Sequence, residues 1–196
     1  NNLNNLYKFE LILVDDCSDD KTLSKIKKFK NNNIKIIENK VNSGQSYSLL
    51  NGIKNSTFKI IITIDGDGQN NPVDIPKLIR EYQSDINVFL VGGIRNNRKD
   101  SIVKILSSKI ANLVRSKILH DRCKDTGCSL KVFDKDVFLK FPFFNGIHRF
   151  LPALFLGYGY NTKFINVDHR KRRYGYSKYG TSKRLIVGIK DIFKVK

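Results

Sequence analysis

Residues Lys59 to Ile64 read KIIITI and run straight into Asp65-Gly66-Asp67-Gly68. A run of β-branched residues favours extended backbone. The Asp and Gly that follow end it in a turn. The same punctuation recurs upstream. Phe9 to Val14 (FELILV) reads as a buried strand that stops at DDCSDDKT, whose Asp and Ser residues are natural N-caps for a helix over Thr22 to Lys30. Ile34 to Glu38 reads as a second strand. A loop holding Gly44 follows, and then a helix over Gln45 to Lys54. Beyond the acidic turn, Pro72 and Pro76 flank a helix start, with the helix reaching about Tyr82. Asn87 to Val91 reads as a further strand, closed by Gly92 and Gly93.

Strand and helix in alternation at this spacing predict an α/β fold with a mostly parallel sheet, joined by crossover helices. Ligands of such sheets bind beyond the carboxyl ends of the strands. That edge receives Asp15 and Asp16 from one strand end and Asp65 and Asp67 from another. The second half reads differently. Ser101 to Leu119 has the spacing of a long amphipathic helix. KDTGCSLKVFDKDV suggests a turn, a strand and a helix start, and HRFLPALFLGYGY is apolar and aromatic. NTKFINVDHRKRRYGYSKYG reads as a strand entering a basic, tyrosine-rich loop. Residues 181–196 read as a basic amphipathic helix, appended to a domain over residues 1–180.

The chain has 196 residues and a formal net charge of +18, which points to phosphate-bearing partners. From Lys163 to Lys196 there are eleven Lys or Arg against Asp168 and Asp191, a net of +9 and half of the excess. Against that excess, two carboxylates one residue apart raise the question of what they hold. At i and i+2 on a turn they suit one hard divalent cation, and Gln69 adds a neutral oxygen. A plain Asp/Gly turn remains the other reading. The sequence has no glutamate where an EF-hand needs one and no GxxxxGK[ST] phosphate loop. Cys17, Cys123 and Cys128 are too few and too irregularly spaced for a zinc finger, so they read as ordinary thiols, Cys123 and Cys128 as buried ones, in a reducing compartment. No apolar run approaches a membrane span. The lack of methionine, even at position 1, leads us to expect a natural start upstream.

Taken in order, VDDCSDDKT, NSGQSYSLLNG, IDGDGQNNP, GIRNNRKDS, DTGCSL, HRFLPAL and HRKRRYGYSKYG resemble the family 2 glycosyltransferases of the GT-A fold. The likeness is greatest to the polyprenyl-phosphate branch, which includes dolichol-phosphate mannosyltransferases and bacterial undecaprenyl-phosphate glucosyltransferases. It implies a Rossmann-like, mostly parallel sheet flanked by helices, here lacking the amino-terminal strand with which the family opens, and a basic amphipathic C-terminal helix. It implies transfer of a hexose from a donor of the GDP-mannose or UDP-glucose type to a polyprenyl phosphate, inverting and assisted by Mg²⁺ or Mn²⁺. A saccharide or glycolipid acceptor is the alternative within the family. A basic nucleic-acid-binding module is the alternative outside it, and a silent scaffold a further one. The lipid acceptor implies association with an anionic membrane surface, on its cytoplasmic side.

By the same resemblance, Asp16 contacts the donor base or ribose, although locally it also suits a helix N-cap. Gly44 and Gln45 border the nucleotide, or form a simple turn and cap. Asp65, Asp67 and Gln69 form the metal set. Arg95 and Arg98 hold phosphate, or are solvated. Asp125 lies on the acceptor side, or caps a turn, and Arg149 touches phosphate. Arg172, Ser177 and Lys178 belong to the loop that closes over the donor diphosphate and the lipid phosphate. Asp67, Asp125 and Arg172 make up the expected catalytic group. Leu185, Ile186, Ile189 and Phe193 line one face of the last helix, which suits either a membrane surface or domain packing.

Overall fold

The computed structural model describes residues 6–29, 31–96, 112–171, 191–192 and 195. Strand β1 (Leu11–Asp15) pairs in parallel with β2 (Ile34–Glu38), and helix α1 (Thr22–Ile26) makes the crossover. Helix α2 (Gln45–Lys54) packs on β1 at Gly52, where a Cβ would stand 3.1 Å from a methyl of Val14. A second sheet has the order β3-β5-β4-β6, built from β3 (Ile60–Thr63), β4 (Val88–Asn96), β5 (Lys131–Asp134) and β6 (Asn161–Asp168). Helix α3 (Ile75–Gln83) follows a short 3₁₀ turn over Pro72–Asp74. Residues 112–119 are helical (α4), followed after β5 by α5 (Lys135–Phe138) and α6 (Leu151–Gly157).

The expected α/β architecture is present, but the sheet is mixed. Strand β6 runs parallel to β4, whereas β5 is antiparallel to both β3 and β4. Strands β3, β4 and β6 therefore share one direction, with β5 inserted against them. All residues of β5 are buried. Phe133 faces a cluster with Ile61, Leu90, Phe138 and Phe155, while Val132 faces another with Leu78, Val91, Leu130 and Val167. A four-residue strand covered on both faces carries no alternation from which to read its direction.

The glycines after Val91 do not close β4, which continues to Asn96. A Cβ on Gly93 would lie 2.8 Å from Val167 Cγ2 and 2.9 Å from Cys128 Sγ, so the residue is small because its neighbours crowd it. Lys21 stands at the N-cap position of α1 and makes no side-chain bond there; of the Asp and Ser residues before the helix, Asp20 accepts from the first-turn Thr22 amide at 2.8 Å. At the far end of the chain, Asp191 and Ile192 are buried and Ile192 joins the Phe133 cluster. At these residues the C-terminal segment packs on the domain. Among the described residues no helix is long and apolar enough to cross a membrane.

Candidate active site

The loops leaving β1 and β3 and the carboxyl end of β4 meet at one edge, where parallel strands of this class bind ligands. Because β5 runs the other way, the loop that precedes it arrives at the same edge. Lys131, its first residue, pairs with Thr63 on one side and Gly92 on the other.

Asp16, just past β1, accepts from Asn39 Nδ2 at 2.8 Å, from the Ser43 amide at 2.9 Å and from the Gly44 amide at 2.7 Å. Burial pushes its carboxyl upward, but these bonds and Ser48 outweigh it and hold the pKa below the usual value. Asp16 thus ties the β1 loop to the start of α2 and does not cap α1. Gly44 sits at φ 84°, a left-handed conformation that favours glycine, and serves as the N-cap of α2. The next residue, Gln45, donates from Nε2 to Asp65 Oδ1 at 3.0 Å. The structure therefore brings Asp16, Gly44, Gln45 and Asp65 into one connected group.

The acidic turn is shaped from below by Ser129. Its Oγ accepts from the Asp65 amide at 3.1 Å and from Asn70 Nδ2 at 2.6 Å, and its carbonyl accepts from Thr63 Oγ1 at 2.6 Å. Asp67 accepts from the Gln69 amide at 3.0 Å. The Asp65 carboxyl is raised above its usual range, first by burial and further by the charge of Asp67, with Ser129, Lys131 and Arg95 acting against this. The far side of the loop docks on the end of β6. Asn70 bridges to His169, and the Arg170 amide donates to the Gln69 carbonyl at 2.8 Å. The basic run of the sequence therefore begins directly beside the acidic turn.

Arg95 and Asp125, expected on the phosphate and acceptor sides respectively, are bonded to each other. Arg95 Nε and Nη2 each reach a carboxylate oxygen of Asp125 at 2.7 Å, and the Arg95 amide adds a third bond at 3.1 Å. Both are well buried, with side chains 14% and 6% exposed. Arg149, expected to touch phosphate, donates from Nη2 to Asp191 at 2.7 Å. Arg98, Arg172, Ser177 and Lys178 lie outside the described residues. Cys123 and Cys128 are buried as expected, with burial pushing the Cys123 thiol up to about 11, whereas Cys17 is exposed.

Several contributors were not singled out from the sequence. Lys131 is buried and donates from Nζ to the Cys128 carbonyl; burial pulls its pKa down while the Cys128 and Cys123 thiols, Asp125 and Asp65 oppose this. His148 Nδ1 shares a 2.7 Å hydrogen bond with Ser46 Oγ in the first turn of α2. Burial, with Arg149 and Lys131 nearby, takes the His148 ring down to about 3, so it is neutral near pH 7. Asn112 on α4 holds both sides of Asp125, donating to the Lys124 carbonyl at 3.1 Å and accepting from Thr126 Oγ1 at 2.7 Å. Of these only Lys131 had a local signal, its place in the KDTGCSLK segment; His148 and Asn112 depend on partners distant in sequence.

The residues at this edge are hard oxygen donors beside cations, on a Rossmann-like α/β scaffold. The profile described as Glycosyl transferase family 2 matches residues 1–143, and the chain belongs to that family. It is similar to the dodecaprenyl-phosphate galacturonate synthase of Rhizobium johnstonii, at 35% identity over 96% of this chain and 57% of that protein. It is also similar to the undecaprenyl-phosphate 4-deoxy-4-formamido-L-arabinose transferase of Photorhabdus laumondii, at 33% identity over 90% of this chain and 54% of that protein. The chain thus spans about half the length of the curated relatives it matches. Among solved structures it resembles glucosyl-3-phosphoglycerate synthase from Mycobacterium tuberculosis. In complex with Mn²⁺, uridine diphosphate and glucosyl-3-phosphoglycerate, that enzyme matches with TM-score 0.70 and 14% identity, covering 95% of this chain and 70% of that one. Its complex with Mg²⁺ and uridine diphosphate also gives 0.70, at 16% identity, covering 95% of this chain and 69% of that one. The fold is GT-A.

Proposed function

We propose that this chain is the catalytic domain of a glycosyltransferase that moves a sugar from a nucleotide-diphosphate donor to a polyprenyl phosphate at a membrane. The observation that carries this reading is the connected group Asp16–Gly44–Gln45–Asp65, with Asp67 alongside, at the ligand edge of a family 2 chain. The acceptor class is supported by the printed names of both relatives above, which specify a polyprenyl phosphate. An acceptor phosphate is already an anion at neutral pH, so the chemistry needs little proton abstraction. One of its oxygens attacks the anomeric carbon, the bond to the donor diphosphate breaks, and the electron pair leaves with the nucleotide. A single displacement of this kind inverts the anomeric centre.

The acidic turn fits a divalent cation. The Asp65 carboxyl already feels the repulsion of Asp67, which a cation would relieve. Among the described residues no group of three or more His, Cys, Asp or Glu converges, so the chain offers a partial shell that phosphate and water oxygens would complete. Asp65, Asp67 and Gln69 would hold Mg²⁺ or Mn²⁺, as solved neighbours of this fold contain. The cation would neutralise charge on the diphosphate as a Lewis acid. The chain's own residues do the remaining work. Gln45 fixes one oxygen of Asp65, and Asp16 holds the loop that shapes the nucleotide edge. Arg95 and Asp125 lock the acceptor-side turn against β4. Positioning and charge stabilisation of this kind supply the rate.

The test is transfer of label from UDP-galacturonate, UDP-glucose or GDP-mannose into an organic-extractable polyprenyl phosphate. Label in the lipid fraction with one donor, lost on EDTA treatment, is the expected result. Label moving only to a soluble saccharide would replace the acceptor.

A further inference from the structure

Helix α4 is oriented inside out. Asn112, Arg115 and Leu119 face the protein, where Arg115 forms a buried ion pair with Asp121 and Asn112 clamps the Asp125 turn. On the opposite arc Leu113, Val114 and Ile118 are 60%, 49% and 38% exposed. An ordinary surface helix does the reverse, burying its apolar stripe and hydrating its polar one. Apolar side chains kept in water on one arc of a helix whose inner side is polar mark a surface meant for a non-aqueous partner.

The charges around the face choose the partner. Lys117, His120, Arg122 and Lys124 are exposed along the same helix and the loop that leaves it. The single acidic residue of the stretch, Asp121, is fully buried against Arg115. Apolar side chains rimmed by cations, with no exposed carboxylate, match the boundary of an anionic lipid layer, where the chains enter the acyl region and the cations meet headgroup phosphates. The same loop lines an open cleft together with Leu156 and Phe164. The C-terminal segment is less suited at its described residues, because Asp191 and Ile192 are already buried in the domain.

From this we infer that the outer face of α4, Leu113, Val114 and Ile118 with Lys117 and the 120–124 loop, docks the domain on an anionic membrane surface. The choice of a lipid layer over other anionic partners rests on the proposed polyprenyl-phosphate acceptor. Asn112 bonds both sides of Asp125, so the docked helix is continuous with the acceptor-side turn. A lipid phosphate would thus be presented beside the site.

The experiment is co-sedimentation of the full chain with vesicles of phosphatidylcholine, with and without phosphatidylglycerol, alongside calorimetric titration of soluble donor. The variant Leu113→Gln/Ile118→Gln keeps the net charge and changes only exposed side chains. The wild-type chain should sediment with the anionic vesicles and be released by salt. The variant should bind them at least about tenfold more weakly with unchanged donor binding. The inference is overturned if the variant sediments like the wild type, or if the wild type ignores both vesicles. It is also overturned if the wild type is a dimer that the variant turns into a monomer with vesicle binding unaltered, which would assign the face to a second copy. Failure of the transferase reading would look different: donor binding would be absent while the vesicle results stood.

Discussion

The carboxyl of Asp65 is half-buried, repelled by Asp67 and bonded by Gln45 Nε2, with Ser129 also acting to lower its pKa. Its raised pKa means that the folded chain holds this proton more tightly than the unfolded chain does. Just above the ordinary carboxylate range, stability therefore falls as pH rises through the folded pKa. Asp65→Asn should accordingly raise the melting temperature of the metal-free protein at neutral pH while weakening Mn²⁺ binding at least about tenfold; thermal unfolding with and without Mn²⁺ reads both. His148 has the opposite linkage. Its folded pKa, about 3, lies below the ordinary 6.5, so the unfolded chain binds the extra proton and stability is lost as pH falls below about 6.5. Urea denaturation at successive pH values should show a slope approaching about 1 kcal/mol per pH unit, and His148→Gln should flatten it.

At the scale of elements, the short antiparallel β5 and the helix that precedes its loop organise the site. Gly93→Ala would place a methyl against Val167, Cys128 and the Leu130 carbonyl, and should destabilise the chain by about 1–3 kcal/mol in chemical denaturation. Arg115→Ala would strand Asp121 as a buried, unpaired carboxylate, which costs about 3–5 kcal/mol, also measured by denaturation. Strands β1, β2 and β3 were legible in the sequence because each ends in a run of turn residues, and their boundaries fell within two residues of the expected ones. The direction of β5 was not, since KVFD is apolar and charged in no periodic order, and only the contacts on its two faces decide where it lies. The inverted face of α4 was hidden for a related reason. Its spacing announced an amphipathic helix but not which side met the core, because the Arg115–Asp121 pair that reverses it forms only in the fold.

Across the whole molecule, the acidic turn and the excess of positive charge account for each other. A net charge of +18 with half of it in the last 34 residues would repel itself without anionic partners, and the two phosphate-bearing substrates proposed for the chain would supply them. The sequence disclosed Asp16, Asp65 and Asp67 because strand ends and short motifs mark them locally. It did not disclose that Arg95 and Asp125, thirty residues apart, hold each other, nor that Arg149 reaches Asp191. Pairs of that kind are made by chain topology. The account is tested most directly by calorimetric titration of UDP-galacturonate, UDP-glucose and GDP-mannose into the protein, with and without Mn²⁺, beside Asp67→Asn. It predicts that one donor binds, that binding needs Mn²⁺, and that the variant binds at least about tenfold more weakly. Donor binding that ignores Mn²⁺ and survives Asp67→Asn, or no binding of any donor, would contradict it.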